Sequence, residues 1–179
     1  AFDKVFYVQQ KEAREFGGEW LPVGVDPALY RYEPQERVYD FCFIGNINNA
    51  RVDFLRRLVE VFPRSYVGQA YGEAANTIYN QSAIAVNYSA GGDINMRMFE
   101  AQATSALLLS NRIDNGETEL LPYIELYDDF ADCVTMMRVF LKCANARRAL
   151  SKAQADSMLS HTYEARARQF LGAIGWPGF

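Results

Sequence analysis

The sequence predicts an α/β protein in which a parallel sheet carries helices on both faces, with further helices after it. Three observations carry this expectation. Short apolar strands alternate with helical segments across residues 39–127, and parallel neighbours need crossover connections of the kind that helices supply. Two of these strands run directly into loops containing glycine, Gly45–Asn49 and Ser89–Asp93. Half of the 179 residues are hydrophobic, enough for a substantial core in one domain or slightly more.

Taken in order, Phe2–Val8 reads as a strand and Gln9–Phe16 as a short helix ended by Gly17-Gly18. Trp20–Pro27, with two prolines and a glycine, suits an extended crossing segment that continues through the charged residues Arg31–Arg37. Tyr39–Ile44 is a compact strand of aromatic and branched residues. The helix after Gly45–Asn49 places Val52, Leu55, Val59 and Phe62 on one core-facing stripe and stops at Pro63. Ser65–Val67 reads as a short strand, Glu73–Gln81 as a helix, Ala83–Tyr88 as a buried strand, Asn95–Thr104 as a helix and Ala106–Ser110 as a second buried strand. A polar loop, Asn111–Thr118, leads past Pro122 to a weaker strand at Tyr123–Tyr127. Phe130, Val134, Met137 and Leu141 mark an amphipathic helix with Asp128 or Asp129 as its N-cap. Asn145 separates it from a second helix reaching Leu159; Tyr163, Ala167, Phe170 and Ile174 mark a last one, ended by Gly175-Trp176-Pro177-Gly178.

Lys plus Arg number 18 against 22 Asp plus Glu, a net charge of -4 that gives no general attraction to nucleic acid or to an anionic membrane. Any phosphate binding must therefore be local. Cys42, Cys133 and Cys143 form no CxxC pair and lie in apolar segments, as buried thiols in a reducing compartment do. No window reaches the roughly 18 uninterrupted apolar residues of a membrane span, and the N-terminus does not resemble a signal peptide. The expectation is a cytoplasmic protein, with peripheral membrane contact left open.

Two loops carry candidate chemistry, because ligands of open α/β sheets gather at the carboxyl ends of the strands. In the first, Gly45 permits close backbone approach, Asn46, Asn48 and Asn49 tolerate left-handed conformations, and Arg51 starts the following helix. That set suits a cradle for a diphosphate. Spacing alone favours an ordinary βα turn with a solvated arginine, since neither GxGxxG nor a Walker loop is present. In the second, Arg97 and Glu100 share a helix face. An arginine fork grips phosphate oxygens and a carboxylate accepts two hydrogen bonds from a vicinal diol, but the same spacing equally describes a surface ion pair. His161, the one histidine, stands as a general base or as an ordinary polar contact, and no nucleophile or orienting acid can be assembled around it. No HxH or HExxH metal spacing occurs. Eleven tyrosines offer base-stacking surfaces with nothing to choose among them.

The order of segments brings a resemblance into view. Asp40–Gly45, Arg51, Ile84–Asn87, Asn95–Ala101 and His161–Ala167 resemble the C-terminal part of CgeB-type, spore-maturation-like glycosyltransferases. These are similar to GT-B enzymes, in which two Rossmann-like domains face each other across a cleft and the C-terminal one binds the nucleotide-sugar donor. The resemblance implies that residues 1–30 are the remnant of an N-terminal domain with its interdomain crossing, and that residues 31–179 form the donor-binding domain. By it, Gly45 and Asn46 face the phosphates with Arg51, Asn95 and Arg97 belong to the donor site, and Glu100 binds the donor ribose. No cofactor or metal is implied, and the partners are a nucleoside-diphosphate sugar and a missing acceptor domain. Two positions depart from the pattern: the second glutamate of E-x7-E relatives falls on Gly92, with Asp93 beside it, and a glycine expected after the helix is Ser105. These departures support an alternative, a non-catalytic GT-B module acting in protein association or in surface and spore-coat assembly.

Overall fold

The computed structural model of the chain describes residues 3–176. Strand β1 (Phe6–Tyr7) leads into helix α1 (Gln10–Phe16), which Gly17 closes at φ +72°, the left-handed conformation that a glycine adopts without strain. The strand expected at Phe2–Val8 is confined to those two residues among the described ones, Phe2 lying outside them, and it pairs in parallel with β2 (Glu19–Trp20). An extended crossing then reaches the main sheet. Its strands are β3 (Tyr39–Ile44), β4 (Ser65–Gly68), β5 (Ser82–Asn87), β6 (Leu107–Asn111) and β7 (Glu125–Tyr127), all parallel, in the spatial order β4-β3-β5-β6-β7. The helices between them are α2 (Asn49–Val61), α3 (Gly72–Gln81), α4 (Met96–Gln102) and α5 (Glu117–Leu120). After β7 come α6 (Phe130–Lys142), α7 (Ala144–Ser157), a 3-10 turn (Met158–Ser160) and α8 (Tyr163–Ala173).

Strand side chains alternate between two cores, as the pleat requires. Phe41, Phe43, Ile84, Val86, Leu107 and Leu109 face α2 and α6, whereas Cys42, Ile44, Ala85 and Leu108 face the side that holds α3 and α4. The predicted sheet with helices on both faces is therefore the observed one. Its strand order reverses at β3: the chain moves outward to β4 and then returns to the other side of β3 as β5. Because α2 and α4 leave toward opposite faces, a crevice opens at the carboxyl ends of β3 and β5, the switch point at which such sheets hold ligands.

Several local expectations change. The buried stripe of α2 is Phe54, Leu55 and Leu58, continued by Phe62 just past the helix, while Val52 is 46% exposed. Phe54 stacks on Tyr88 and Tyr127, with centroids 4.7 and 5.8 Å away, and this contact sets the rotation of the helix. The last two residues of the stretch read as the loop Asn111–Thr118 begin α5, where the buried Glu117 carboxylate accepts from the amides of Ile113, Asp114 and Asn115. Cys143, not Asn145, separates α6 from α7, and its place at that turn leaves it exposed, unlike Cys42 and Cys133. Asp129 does cap α6, accepting from the amide of Asp132 at 2.9 Å. Of the closing segment Gly175–Gly178, residues Pro177 and Gly178 lie outside the described residues.

The crossing segment is bound to the domain at two places. Val25 bridges to Thr162 beside α8, an approach so close that a Cβ on Gly24 would stand 2.8 Å from the Thr162 backbone. Further on, buried Asn80 accepts from the amides of Glu33 and Ser105, at 3.0 Å each, and donates to Arg31 O at 3.0 Å. Arg37 completes the junction, donating to the carbonyls of Asn80, Ser82 and Ser105. Ser105 thus turns on hydrogen bonds and not on a left-handed backbone; the one non-glycine residue at positive φ among those described is Asp114. The strain expected of a serine there does not arise.

Truncating Asn80 leaves the buried amide of Ser105 and the part-buried amide of Glu33 and carbonyl of Arg31 short of a partner. Asn80→Ala is expected to lower unfolding free energy by about 1–3 kcal/mol in urea denaturation, the cost of orphaning a buried amide together with two part-buried groups.

Candidate functional site

The switch-point crevice is occupied by one side chain. Arg97, in the first turn of α4, reaches back to β3 and β5, donating Nε to Ile44 O and Nη1 to Asn87 Oδ1 at 2.7 Å. Asn87 is fully buried, and its Nδ2 donates to Ser110 Oγ at 2.8 Å, which turns its oxygen toward the arginine. The guanidinium lies 4.3 Å from the Phe43 ring centroid. Gly45 makes room for it. At φ +153°, Gly45 is in backbone territory that favours glycine, and a Cβ there would lie 1.8 Å from Arg97 Nη2. The close approach that Gly45 permits is thus already made by a cation of the chain itself.

Arg51 supports the same place from the other side. It donates to Tyr88 O and Asn46 O, both at 2.9 Å, so tying the loop after β3 to the end of β5, and it lies 5.8 Å from the same Phe43 ring. Neither Arg51 nor Arg97 has a carboxylate within the 4.0 Å of an ion pair among the described residues. Burial draws the Arg97 guanidinium below its ordinary pKa, and the nearby positive charge of Arg51 acts in the same direction. Two cations therefore converge on the carboxyl end of the sheet, satisfied by neutral acceptors alone. The surface ion pair between Arg97 and Glu100, open from spacing, does not form.

Glu100 stands one turn along α4, on the wall of a cleft of about 460 Å³. Val23, Tyr30, Gly45, Tyr71, Asn95 and Arg97 are among its other lining residues. The cleft thus gathers four of the residues singled out from sequence, Gly45, Asn95, Arg97 and Glu100, while Asn46, in the loop after β3, and Arg51, in the first turn of α2, do not line it. Burial raises the Glu100 carboxyl pKa; a hydrogen bond from Tyr30 and the charge of Arg97 work against that rise. Tyr30 responds in kind, its phenol pushed up to about 12 by burial and by the Glu100 charge. Asn95 ends the loop before α4, and neither its Oδ1 nor its Nδ2 has a hydrogen-bond partner although both are buried. An orphaned amide of this kind costs about 1–3 kcal/mol for each unmet group.

The loop leading to these residues is latched from the N-terminal side, a feature no local signal in the sequence announced. Gln9 exchanges two hydrogen bonds with the Ile94 backbone, at 2.8 and 3.1 Å, and Asn115 Nδ2 joins Gln9 Oε1 to Gly92 O. Gly92 is itself left-handed at φ +70°, so a glutamate at this position would be strained. Neighbouring Asp93 is held by Ser89, whose Oγ lies 2.5 Å from Oδ1. His161 lies elsewhere: its Nδ1 accepts from Arg166 at 2.6 Å, while Arg166 Nε donates to Val23 O, and its pKa is lowered by burial and by Arg166. It braces the crossing segment and does not line the cleft. Among the described residues no group of three or more His, Cys, Asp or Glu side chains is arranged to hold a metal ion, and no helix is long and apolar enough to cross a membrane.

Comparison with known structures places this geometry. The fold is similar to sucrose-phosphate synthase from Thermosynechococcus elongatus (TM-score 0.75, 14% identity), covering 98% of this chain and 58% of that one. It is also similar to TarM (TM-score 0.69, 8% identity, 94% and 43%) and to CalG4, the calicheamicin glycosyltransferase (TM-score 0.53, 13% identity, 100% and 54%). At these identities the likeness is one of fold, a Rossmann-like sheet of the GT-B kind, and the chain spans about half the length of the structures it matches. No curated protein matches it. The family model described as glycosyl transferase-like matches residues 31–172, from the end of the crossing segment into α8, and the chain belongs to that family.

Proposed function

We propose that this chain is the donor-binding half of a CgeB-type glycosyltransferase, holding a nucleoside-diphosphate sugar in the cleft beside α4. The observation that carries the reading is the pair of guanidiniums at the switch point without a carboxylate partner. A half-buried cation hydrogen-bonded only to neutral acceptors keeps positive potential in the crevice, and a diphosphate is the anion whose size and charge suit it. Glu100 accepts the two ribose hydroxyls, and Asn95, with a donor and an acceptor both unmet, matches sugar hydroxyls, which also do both. As the bond between the anomeric carbon and the diphosphate oxygen breaks, Arg97 stabilises the charge that collects on the departing nucleoside diphosphate. The acceptor, and the group that takes its proton, come from a second domain across the cleft.

A second reading is favoured by one feature, the loop at Gly92. A left-handed glycine stands where E-x7-E relatives carry a sugar-contacting carboxylate, and Asp93 is engaged by Ser89. A module that binds nucleotide or partner protein without turnover fits that loop. Transfer assays on the full-length protein separate the two readings: consumption of a sugar nucleotide supports the first, and its absence with retained protein association supports the second.

Calorimetric titration with UDP and GDP tests donor binding directly. Glu100→Gln is expected to weaken the preferred nucleotide by about 5- to 10-fold, the loss of a charged hydrogen bond worth at least ~1 kcal/mol. Gly45→Ala, which drives a methyl group into Arg97, is expected to reduce binding at least as much. Because burial raises the Glu100 pKa, the wild-type affinity should be full above that raised value and fall as the pH drops through it, at a higher pH than an ordinary carboxylate of about 4.3 would give. The pH profile of Glu100→Gln should lack this step.

A further inference from the structure

Among the described residues no large hydrophobic side chain is more exposed than Tyr71, at 77%. Exposure of a whole aromatic ring forgoes the burial that usually places such side chains inside or at an interface. Tyr71 does not stand on an indifferent surface. It follows β4 at the carboxyl edge of the sheet, immediately before α3, and lines the same cleft as Arg97 and Glu100. Its hydroxyl comes within 3.5 Å of Gln69 Oε1, and among the described residues no aromatic or cationic side chain lies against its ring.

Tyr30 ties this position to Glu100. Its phenol lines the same cleft as Tyr71 and Glu100, close enough to the Glu100 carboxylate and to the backbone of Gly72, the residue after Tyr71, for both to shift its pKa. Tyr71 therefore shares the cleft with the carboxylate, at the edge formed by the loop after β4. The chemistry of a nucleotide then restricts where its parts go. The base is carried on the ribose carbon next to the 2′-hydroxyl, and the phosphates leave from the opposite end of the sugar. With the ribose hydroxyls on Glu100 and the diphosphate directed to Arg97, the base lies on the side away from Arg97, toward the loop after β4.

We propose that Tyr71 is the stacking platform for the nucleobase of the donor. This rests on the donor-site reading of Arg97 and Glu100. Every base presents a π face, so stacking contributes affinity with little choice among bases. Selection between uracil and guanine then belongs to groups that meet the base edge.

The test is calorimetric titration of the chain and its variants with UDP, with GDP and with inorganic pyrophosphate, a probe that has no base. Tyr71 is exposed, so its substitution leaves the core intact. Tyr71→Ala is expected to weaken UDP and GDP binding by about 10-fold, within the range of roughly 5- to 100-fold for loss of one base–aromatic stack, with pyrophosphate binding unchanged. Tyr71→Phe, which keeps the π face, is expected to bind as the wild type does. If wild type and Tyr71→Ala bind UDP and GDP equally, the platform is overturned while the donor site stands. An equal loss of pyrophosphate and nucleotide binding also overturns it, by assigning Tyr71 a structural role. Failure of the wild type to bind any nucleoside diphosphate overturns the platform together with the donor site.

Discussion

Arg97 crosses from α4 to the ends of β3 and β5, and much of the site is arranged around its guanidinium. Gly45 lacks a side chain where Nη2 lies, Asn87 is turned by Ser110 to offer its oxygen, and Phe43 presents its ring to the charge. Removing a guanidinium from water is unfavourable by several kcal/mol unless the lost hydration is replaced. Here the replacement is a carbonyl, an amide oxygen and a ring face, none of which carries a full negative charge. Such a cation is held firmly without a carboxylate in ion-pair contact, its opposite charges at Glu100 and Asp93 acting only from a distance.

The sheet explains why that cation lies where it does. With strand order β4-β3-β5-β6-β7, the reversal at β3 sends α2 and α4 to opposite faces, and the two cores they cover leave the carboxyl ends of β3 and β5 uncovered. Met98 and Phe99 of the first turn of α4 enter the core on that face, and Arg97 between them and Met96 reaches the crevice instead. The position of Arg97 is consequently a property of topology, and the latch of Gln9 and Asn115 on the preceding loop holds the start of α4 in register with it. This latch also couples the N-terminal arm to the cleft, so movement of that arm bears on the loop that carries Asn95.

Much of this architecture was legible in the sequence, and the limits are instructive. Tyr39–Ile44 stood out because a run of apolar and aromatic residues buried on both faces has no alternative in so short a segment. The rotation of α2 was less accessible, since Val52 and Phe54 are both apolar and periodicity cannot decide which one meets the core; stacking on Tyr88 and Tyr127 decides it. For Arg97 and Glu100, three-residue spacing fitted an ion pair as well as a ligand site. Contacts of Arg97 to Ile44 and Asn87, made by tertiary packing, take the place of the ion pair. Tyr71 was one of eleven tyrosines until burial set it apart. Resemblance to a family pointed to segments that line the cleft, but not to the contacts by which Gly45, Asn87 and Phe43 accommodate Arg97.

A crystal structure of the chain with bound UDP or GDP tests the central claim most directly. The account predicts diphosphate oxygens within hydrogen-bonding distance of Arg97, about 2.7–3.2 Å, with the ribose hydroxyls on Glu100. Nucleotide bound instead in the recess on the opposite face of the sheet, among Asp53, Arg57, Arg112 and Asp128, with the switch-point crevice free of ligand, would contradict it.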